Sequence, residues 1–224
     1  MPEDKKVPEL PKEWEAVARL AVYVEMTIEK LLGSVPPKDD LEYVKQYYMR
    51  EFGVSAEEAE EIMDVEAVPE PSATEKALMG EPLSFRRDVD GNIYIAEGQI
   101  LGLLKAAVRG LGLSRKIKNI PQSFFTEPKR IRPVDPETGQ EIKEPHRKIV
   151  RPVRTRYGPT LTVHECIDRC KLCFTLITTN RDVTKDLLEK LLFMMKQIGF
   201  NPGARHGYGQ ITELEWEWVK PKAK

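Results

Sequence analysis

Gly91-Asn92-Ile93-Tyr94-Ile95-Ala96-Glu97-Gly98-Gln99-Ile100-Leu101-Gly102-Leu103-Leu104-Lys105 is the stretch on which the fold turns. Asp90-Gly91-Asn92 is a turn signal, and Ile93-Tyr94-Ile95 suits a short extended segment. At Gly98 the apolar period changes. Ile100, Leu103, Leu104, Ala107, Val108 and Leu111 fall at i, i+3, i+4, i+7, i+8 and i+11, the stripe of an amphipathic helix. Gly110 or Gly112 is placed to end it. Lys105 and Arg109, four residues apart, share another face of that helix.

Upstream, Leu20, Val22, Val24, Met26 and Ile28 alternate with Arg19, Ala21, Tyr23, Glu25 and Thr27, which predicts a strand with one apolar face. It ends at the breakers Gly33-Ser34-Val35-Pro36-Pro37. Residues 39–66 read as acidic helices, with Leu41, Val44 and Tyr48 at helical spacing and Ser55-Ala56-Glu57-Glu58 resembling a capping box. Pro69 to Pro82 reads as an exposed connection. Residues 33–82 are therefore expected to form an acidic helical insertion.

Downstream, residues 124–163 read as a basic, hairpin-like excursion that turns at Asp135-Pro136-Glu137-Thr138-Gly139. Leu172, Phe174 and Leu176 alternate as a core strand. A helix capped by Thr184 follows, with Leu187, Leu188, Leu191, Leu192, Met195 and Ile198 on its stripe. Gly199 is expected in the left-handed conformation at its end. The last strand puts Leu214, Trp216 and Trp218 on one face and Glu213, Glu215 and Glu217 on the other. With both insertions removed, residues 1–224 are expected to be one α+β domain with a β-α-β-β-α-β core, the ferredoxin-like order that RNA-recognition modules also use.

Charge sharpens the picture. The formal net charge is −1. Residues 1–90 carry 11 Lys/Arg against 22 Asp/Glu, whereas residues 114–156 carry 12 against 5. That local excess of cations is the footprint of a polyanion contact or of a solvated loop. No apolar run approaches the roughly 20 residues a bilayer span requires, and Met1 to Lys12 is too charged for a secretory signal. Three cysteines in one short stretch do not make a disulfide framework. A cytoplasmic protein without membrane contact is expected.

Two segments carry a family resemblance. The stretch quoted above resembles the glycine-containing strand-to-helix segment of the repeat-associated mysterious protein (RAMP) superfamily, the CRISPR effector backbone subunits and their relatives. Gly199-Phe200-Asn201-Pro202-Gly203-Ala204-Arg205-His206-Gly207-Tyr208-Gly209 resembles the glycine-rich loop before that superfamily's last strand. Glu165 and the strand and helix after it fit the lead-in to that loop. Leu31-Leu32-Gly33-Ser34-Val35-Pro36 and Arg151-Pro152-Val153-Arg154 are similar to strings in uncharacterised phage and prophage RAMP-like proteins. The chain departs from the pattern at Ala96, where the family has proline, and at Leu101, where it has a cation. The resemblance implies a non-catalytic RNA-binding protein that touches the phosphate backbone through the glycine loop and a thumb-like basic hairpin. It also implies single-stranded RNA (or single-stranded DNA) and other RAMP-type subunits, or copies of itself, as partners.

The residues support such contacts on their own terms. Gly98 at a helix start offers free N–H groups to an anion, and Lys105 and Arg109 extend that surface. Gly203, Gly207 and Gly209 permit positive φ and close backbone approach, with Arg205 and His206 as added donors. The basic excursion contributes Arg130, Arg132, Arg147, Lys148, Arg151, Arg154 and Arg156. Such contacts set affinity and salt dependence without reading sequence.

Catalytic and metal chemistry is less well supplied. Cys166-x-x-x-Cys170-x-x-Cys173 has radical-SAM spacing, but only 51 residues follow Cys173, too few for a barrel of about 200 residues. With His164 the cysteines would have to wrap a tetrahedral zinc from one strand, so structural thiols are expected, with no metal and no cofactor. His206 is the one histidine placed for catalysis. Two alternatives therefore stand beside the binder: a Cas-type endoribonuclease processing repeat RNA through His206, and a phage or mobile-element interaction protein that keeps the fold without binding RNA.

Overall fold

The computed structural model describes residues 8–33, 83–155, 158–200 and 207–219. The acidic helices expected within residues 34–82, the connection after them and the loop residues Gly203, Arg205 and His206 lie outside the described residues, as does Arg156.

The protein is α+β. In chain order its elements are α1 (Lys12–Glu15), β1 (Leu20–Leu32), β2 (Arg86–Arg87), β3 (Ile93–Ala96), α2 (Glu97–Gly110), α3 (Ile120–Ser123), β4 (Phe124–Glu127), β5 (Arg130–Ile131), β6 (Arg147–Thr155), β7 (Gly158–Thr178), α4 (Lys185–Ile198) and β8 (Gln210–Trp218). The main sheet runs β4-β7-β1-β8 with every neighbouring pair antiparallel, and β6 also pairs with β7. A small second sheet has the order β2-β3-β5.

The alternation in β1 becomes its two faces. Val22, Val24, Met26 and Ile28 have no exposed surface, and they meet Leu172, Phe174 and Leu176 of β7 and Ile211 and Leu214 of β8 in one core. On that core lie α2, through Ile100, Leu103, Leu104, Ala107 and Val108, and α4, through Leu188, Leu191, Leu192 and Met195. Removing this apolar area from water is the main stabilising term. Among the described residues, the opposite face of the sheet is packed at one end by α1 and the residues before it. There Leu10 and Trp14 pack with Ala21, Ile177 and Val219, and Trp14 lies 4.7 Å from the Phe125 ring.

Helix ends follow the sequence cues, with one difference. The Thr184 hydroxyl accepts the Leu187 N–H at 3.3 Å, as an N-cap does. α2 closes in a Schellman arrangement: Gly112 takes φ +69°, its N–H reaches the Arg109 carbonyl, and the Leu113 N–H reaches Val108 at 2.9 Å. Gly199 has the expected positive φ, 77°, but with ψ 165°. That is extended, glycine-only backbone rather than the left-handed helical form, and it sends the chain sharply out of α4.

The basic excursion differs more. Phe124–Glu127 does not leave the core: as β4 it pairs with Thr175–Thr178 of β7, and Phe124 is fully buried. The hairpin begins at Arg147, and its return strand β7 runs unbroken for 21 residues into the middle of the sheet. Cys170 lies inside that strand opposite Ile28. A strand signal confined to Leu172–Leu176 missed this length because Asp168, Arg169 and Lys171 break the apolar alternation while facing solvent or ion pairs.

Candidate nucleic-acid interface

One end of β1 gathers most of the expected features. β1 pairs with β7 as far as Leu32 opposite Cys166, and beyond that point β7 is paired with β6. The β6–β7 ribbon thus projects past the end of β1, with Arg147 opposite Cys166 at its root. Arg147, Lys148 and His146 are exposed there. Arg151 and Arg154 occupy register positions farther along β6, opposite Thr162 and Pro159.

The root of the ribbon is rigid. The Glu165 carboxylate accepts the Phe85 N–H at 2.9 Å and lies 3.5 Å from the Arg87 guanidinium. Gly33 donates its N–H to the Glu165 carbonyl, and its own carbonyl lies 2.9 Å from His164 Nδ1. A Cβ on Gly33 would fall 2.5 Å from the Ser84 carbonyl carbon, so glycine is required by this close approach. Glu165, expected as part of the lead-in to the glycine loop, instead ties the ribbon to residues 83–87.

The described part of the glycine loop flanks the same end of β1 from the other side. Gly207 takes φ +81° and Gly209 φ +69°. The Gly209 N–H is shared by the carbonyls of Glu29 (2.8 Å) and Lys30 (3.0 Å), and its carbonyl receives the Phe200 N–H at 2.7 Å. That N–H is spent on β1 and is not an anion donor. Lys30, which carried no signal in the sequence, is the consequence: it adopts φ 50° inside a strand, an uncommon conformation for a residue with a Cβ, and its side chain is exposed beside the loop.

The block of cations over 114–156 is not one surface. Arg132 is turned inward: its guanidinium is bound by the Asp88 carboxylate and donates to the carbonyls of Asn92 (3.1 Å) and Ile93 (3.3 Å). It is withdrawn from the expected contact set, because a committed, structurally paired guanidinium has few donors left. Arg130 is exposed and sits 5.1 Å from the Tyr94 ring centroid. Arg147 pairs with Asp168 at 2.6 Å. Arg115, Lys116 and Lys118 follow α2 in sequence rather than belonging to the ribbon, and Lys118 lines one groove with Lys105 and Arg109.

At the start of α2, Gly98 is exposed in the first turn. The neighbouring groups are already engaged. Gln99 Oε1 accepts the Ala96 N–H (3.1 Å), the Glu97 N–H reaches the Lys129 carbonyl (2.8 Å), and the Glu97 carboxylate accepts the Thr126 N–H (2.6 Å). The carboxylate complements the positive helix end and repels a second anion. Leu101, where the family has a cation, is buried in the core.

The outer face of the sheet is a poor platform for RNA. Tyr23, Glu25 and Thr27 are in register with Glu217, Glu215 and Glu213, and Glu29 continues the acidic row. Lys171 pairs with Glu25 at 3.3 Å and Arg169 with Glu29 at 3.2 Å, while Thr27 Oγ1 donates to Glu213 at 2.9 Å. RNA-recognition modules stack bases on aromatic residues of this face; here it is acidic at one end and covered by α1 at the other.

Cys166 and Cys170 are buried, and Cys173 is half-buried. Strand alternation puts Cys173 on the opposite face from the other two, so the three thiols do not converge on a point. Burial, then the nearby Asp168 charge, pushes the Cys166 thiol up to about 11. Burial raises Cys170 further. Among the described residues no helix is long and apolar enough to cross a membrane.

No protein family model matches the chain, and no curated protein matches it. Among solved structures it is similar to a chain in the cryo-EM structure of the Type III-B Cmr-beta bound to cognate target RNA. The identity is 11% and the TM-score 0.45, over 93% of this chain. The protein spans 64% of the length of that chain. A likeness of this degree carries nothing about activity, site or partners.

Proposed function

We propose that the protein is a non-catalytic binder of single-stranded RNA of the RAMP type, a subunit of a CRISPR-like ribonucleoprotein built from copies of itself or from other RAMP-type subunits. The observation that carries this reading is the cationic β6–β7 ribbon, which projects past β1 beside the base of the glycine-rich loop. RNA phosphates lie against Arg147, Lys148, Arg151, Arg154 and Arg156 of the ribbon and against Gly203, Arg205, His206 and Gly207 of the loop. Arg130 extends the contact and Lys30 joins it at the end of β1; Lys105 and Arg109 on α2 make a phosphate contact of their own, and Gly98, beside the Glu97 carboxylate, makes none. Support for a ferredoxin-like core comes from the strand order β4-β7-β1-β8, with α2 between β1 and β4 in sequence and α4 between β7 and β8. The acidic outer face of the sheet favours phosphate-backbone contacts at the strand ends over base stacking on the sheet.

The test is fluorescence anisotropy of a labelled, unstructured RNA at two salt concentrations, with a DNA oligonucleotide of the same sequence alongside. Affinity at low salt falls steeply as salt rises, because bound phosphates release counterions. Replacing Arg151, Arg154 and Arg156 with Glu abolishes most of it. Retention of full affinity by that variant, or no affinity for RNA at low salt, overturns the reading. Equal binding of the DNA leaves the phosphate contacts standing and removes RNA selectivity.

A further inference from the structure

Between Gly98 and Thr126 the sequence contains Lys105, Arg109, Arg115, Lys116 and Lys118, and no Asp or Glu. All five cations are exposed, and among the described residues none is paired with a carboxylate. Elsewhere on the described surface Arg87, Arg132, Arg147, Arg169, Lys171 and Lys190 each have an acidic partner, while cations such as Arg130 and Lys148 have none among the described residues; what sets this segment apart is five cations with no acid among them. The chain as a whole is slightly acidic, so counter-charges are not scarce. None falls within this segment of the sequence.

Three of the five cations, Lys105, Arg109 and Lys118, border a shape as well as a charge. A groove of about 460 Å³ opens between α2 and the segment that returns to α3. Lys105, Arg109 and Lys118 stand on its rim, while Val108, Ile117 and Pro121 supply apolar lining. The segment is anchored rather than loose. Leu113 is bound back to Val108 and Ile117 to Leu113, each at 2.9 Å, and Ile117 and Ile120 are buried. Asn119 holds φ 53°, which turns the chain between Lys118 and α3. A cation at the last turn of a helix is explained by the helix dipole, which accounts for Arg109. It does not account for Lys105, a turn earlier, or for Lys118, across the groove.

We propose that this groove is a second binding site for the phosphate backbone of single-stranded nucleic acid, separate from the ribbon and the glycine loop. It joins Lys105 and Arg109 to Arg115, Lys116 and Lys118 as one contact. Rim cations take phosphates and the apolar lining takes the flat face of a sugar or base, an alternation that a nucleic-acid strand offers and a run of acidic side chains does not. The proposal rests on the RNA-binding reading above but not on the ribbon.

The experiment compares three full-length proteins by anisotropy with labelled oligouridylate over a salt series: wild type, K105E/R109E/K118E and K148E/R151E/R154E. Thermal melts establish that each is folded. The groove variant is expected to bind about tenfold or more weakly at low salt, with a slope of log K against log salt shallower by about 2, since each lost contact to a single strand removes about 0.7. If the groove variant keeps wild-type affinity and slope while the ribbon variant loses both, the groove proposal is overturned and the RNA-binding reading stands. If the groove variant alone loses affinity, the groove stands and the ribbon falls. If wild type does not bind, both fall. Labelled polyglutamate is the control: binding as tight as oligouridylate, lost in the groove variant, overturns the choice of nucleic acid as occupant.

Discussion

The Asp88 carboxylate holds the Arg132 guanidinium, and with it the turn from which β3 and α2 depart. Asp88 also accepts the N–H groups of Asp90 (3.0 Å) and Asn92 (2.8 Å), while Arg132 reaches across to the Asn92 and Ile93 carbonyls. The pair joins the Asp90-Gly91-Asn92 turn to the strand end after β5. An arginine that the sequence offered as a phosphate contact is thus a structural tie.

Acid should loosen that tie. The Arg132 guanidinium, followed by the Asn92 amide, lowers the Asp88 carboxyl to about 2 from an ordinary 3.8. Because the folded value is the lower one, the contribution is fully present above about pH 4 and is lost as pH falls through about 2. Melting temperature followed from pH 5 to 2 should drop more steeply in wild type than in the Asp88→Asn variant, which begins lower and stays flatter. Parallel curves would show that the pair contributes nothing.

Two glycines should respond in opposite senses. Gly33→Ala forces a Cβ to 2.5 Å from the Ser84 backbone, an overpacking that costs about 1–3 kcal/mol or more. Gly102→Ala sits on the exposed side of α2 with nothing within 4 Å of the new Cβ, and helix propensity favours it by up to about 1 kcal/mol. Denaturant titration of both variants measures the pair. A stabilised Gly33→Ala protein would place residues 83 and 84 away from the end of β1.

What could be read in advance was whatever local periodicity governs. Strand β1, helices α2 and α4, the Thr184 cap and the glycine end of α2 each follow from spacing within one segment. Strand β7 and the place of β4 did not, because partners far away in sequence stabilise them rather than their own pattern. Phe124-Phe125 looks like the start of a loop until Thr175–Thr178 is beside it. Lys30 was invisible for a related reason: its positive φ comes where its carbonyl meets the Gly209 N–H across the sheet. The groove cations were in view, but counting them with the ribbon hid them. The signal that separates them is the absence of any acid from Gly98 to Thr126.

The thiols should behave as core groups. A Cys166 value near 11 instead of the ordinary 9.0 leaves about a hundredfold fewer thiolates at neutral pH, and burial closes access as well. With a disulfide reagent at pH 8, Cys173 should react first, and Cys166 and Cys170 only as fast as the protein unfolds. Rapid labelling of all three in the native state would contradict the packing of β7 against β1. Mapping the labelled peptides by mass spectrometry at several denaturant concentrations distinguishes the cases.

The glutamates of β8 should work against RNA rather than for it. Glu213, Glu215 and Glu217 share the outer sheet face with Glu25 and Glu29, where Lys171 pairs with Glu25 and Arg169 with Glu29 and Glu213. If RNA lies along the ribbon and loop at the strand ends, this face repels it at a distance and steers it toward the cationic side. Replacing Glu215 and Glu217 with Lys should then leave affinity unchanged at high salt, where the field is screened, and raise it several-fold at low salt, mostly through faster association. If instead bases stack on this face, the same substitutions alter affinity at every salt concentration and act mainly on dissociation. Stopped-flow anisotropy on the doubly substituted protein separates the two, because steering changes the on-rate and stacking the off-rate.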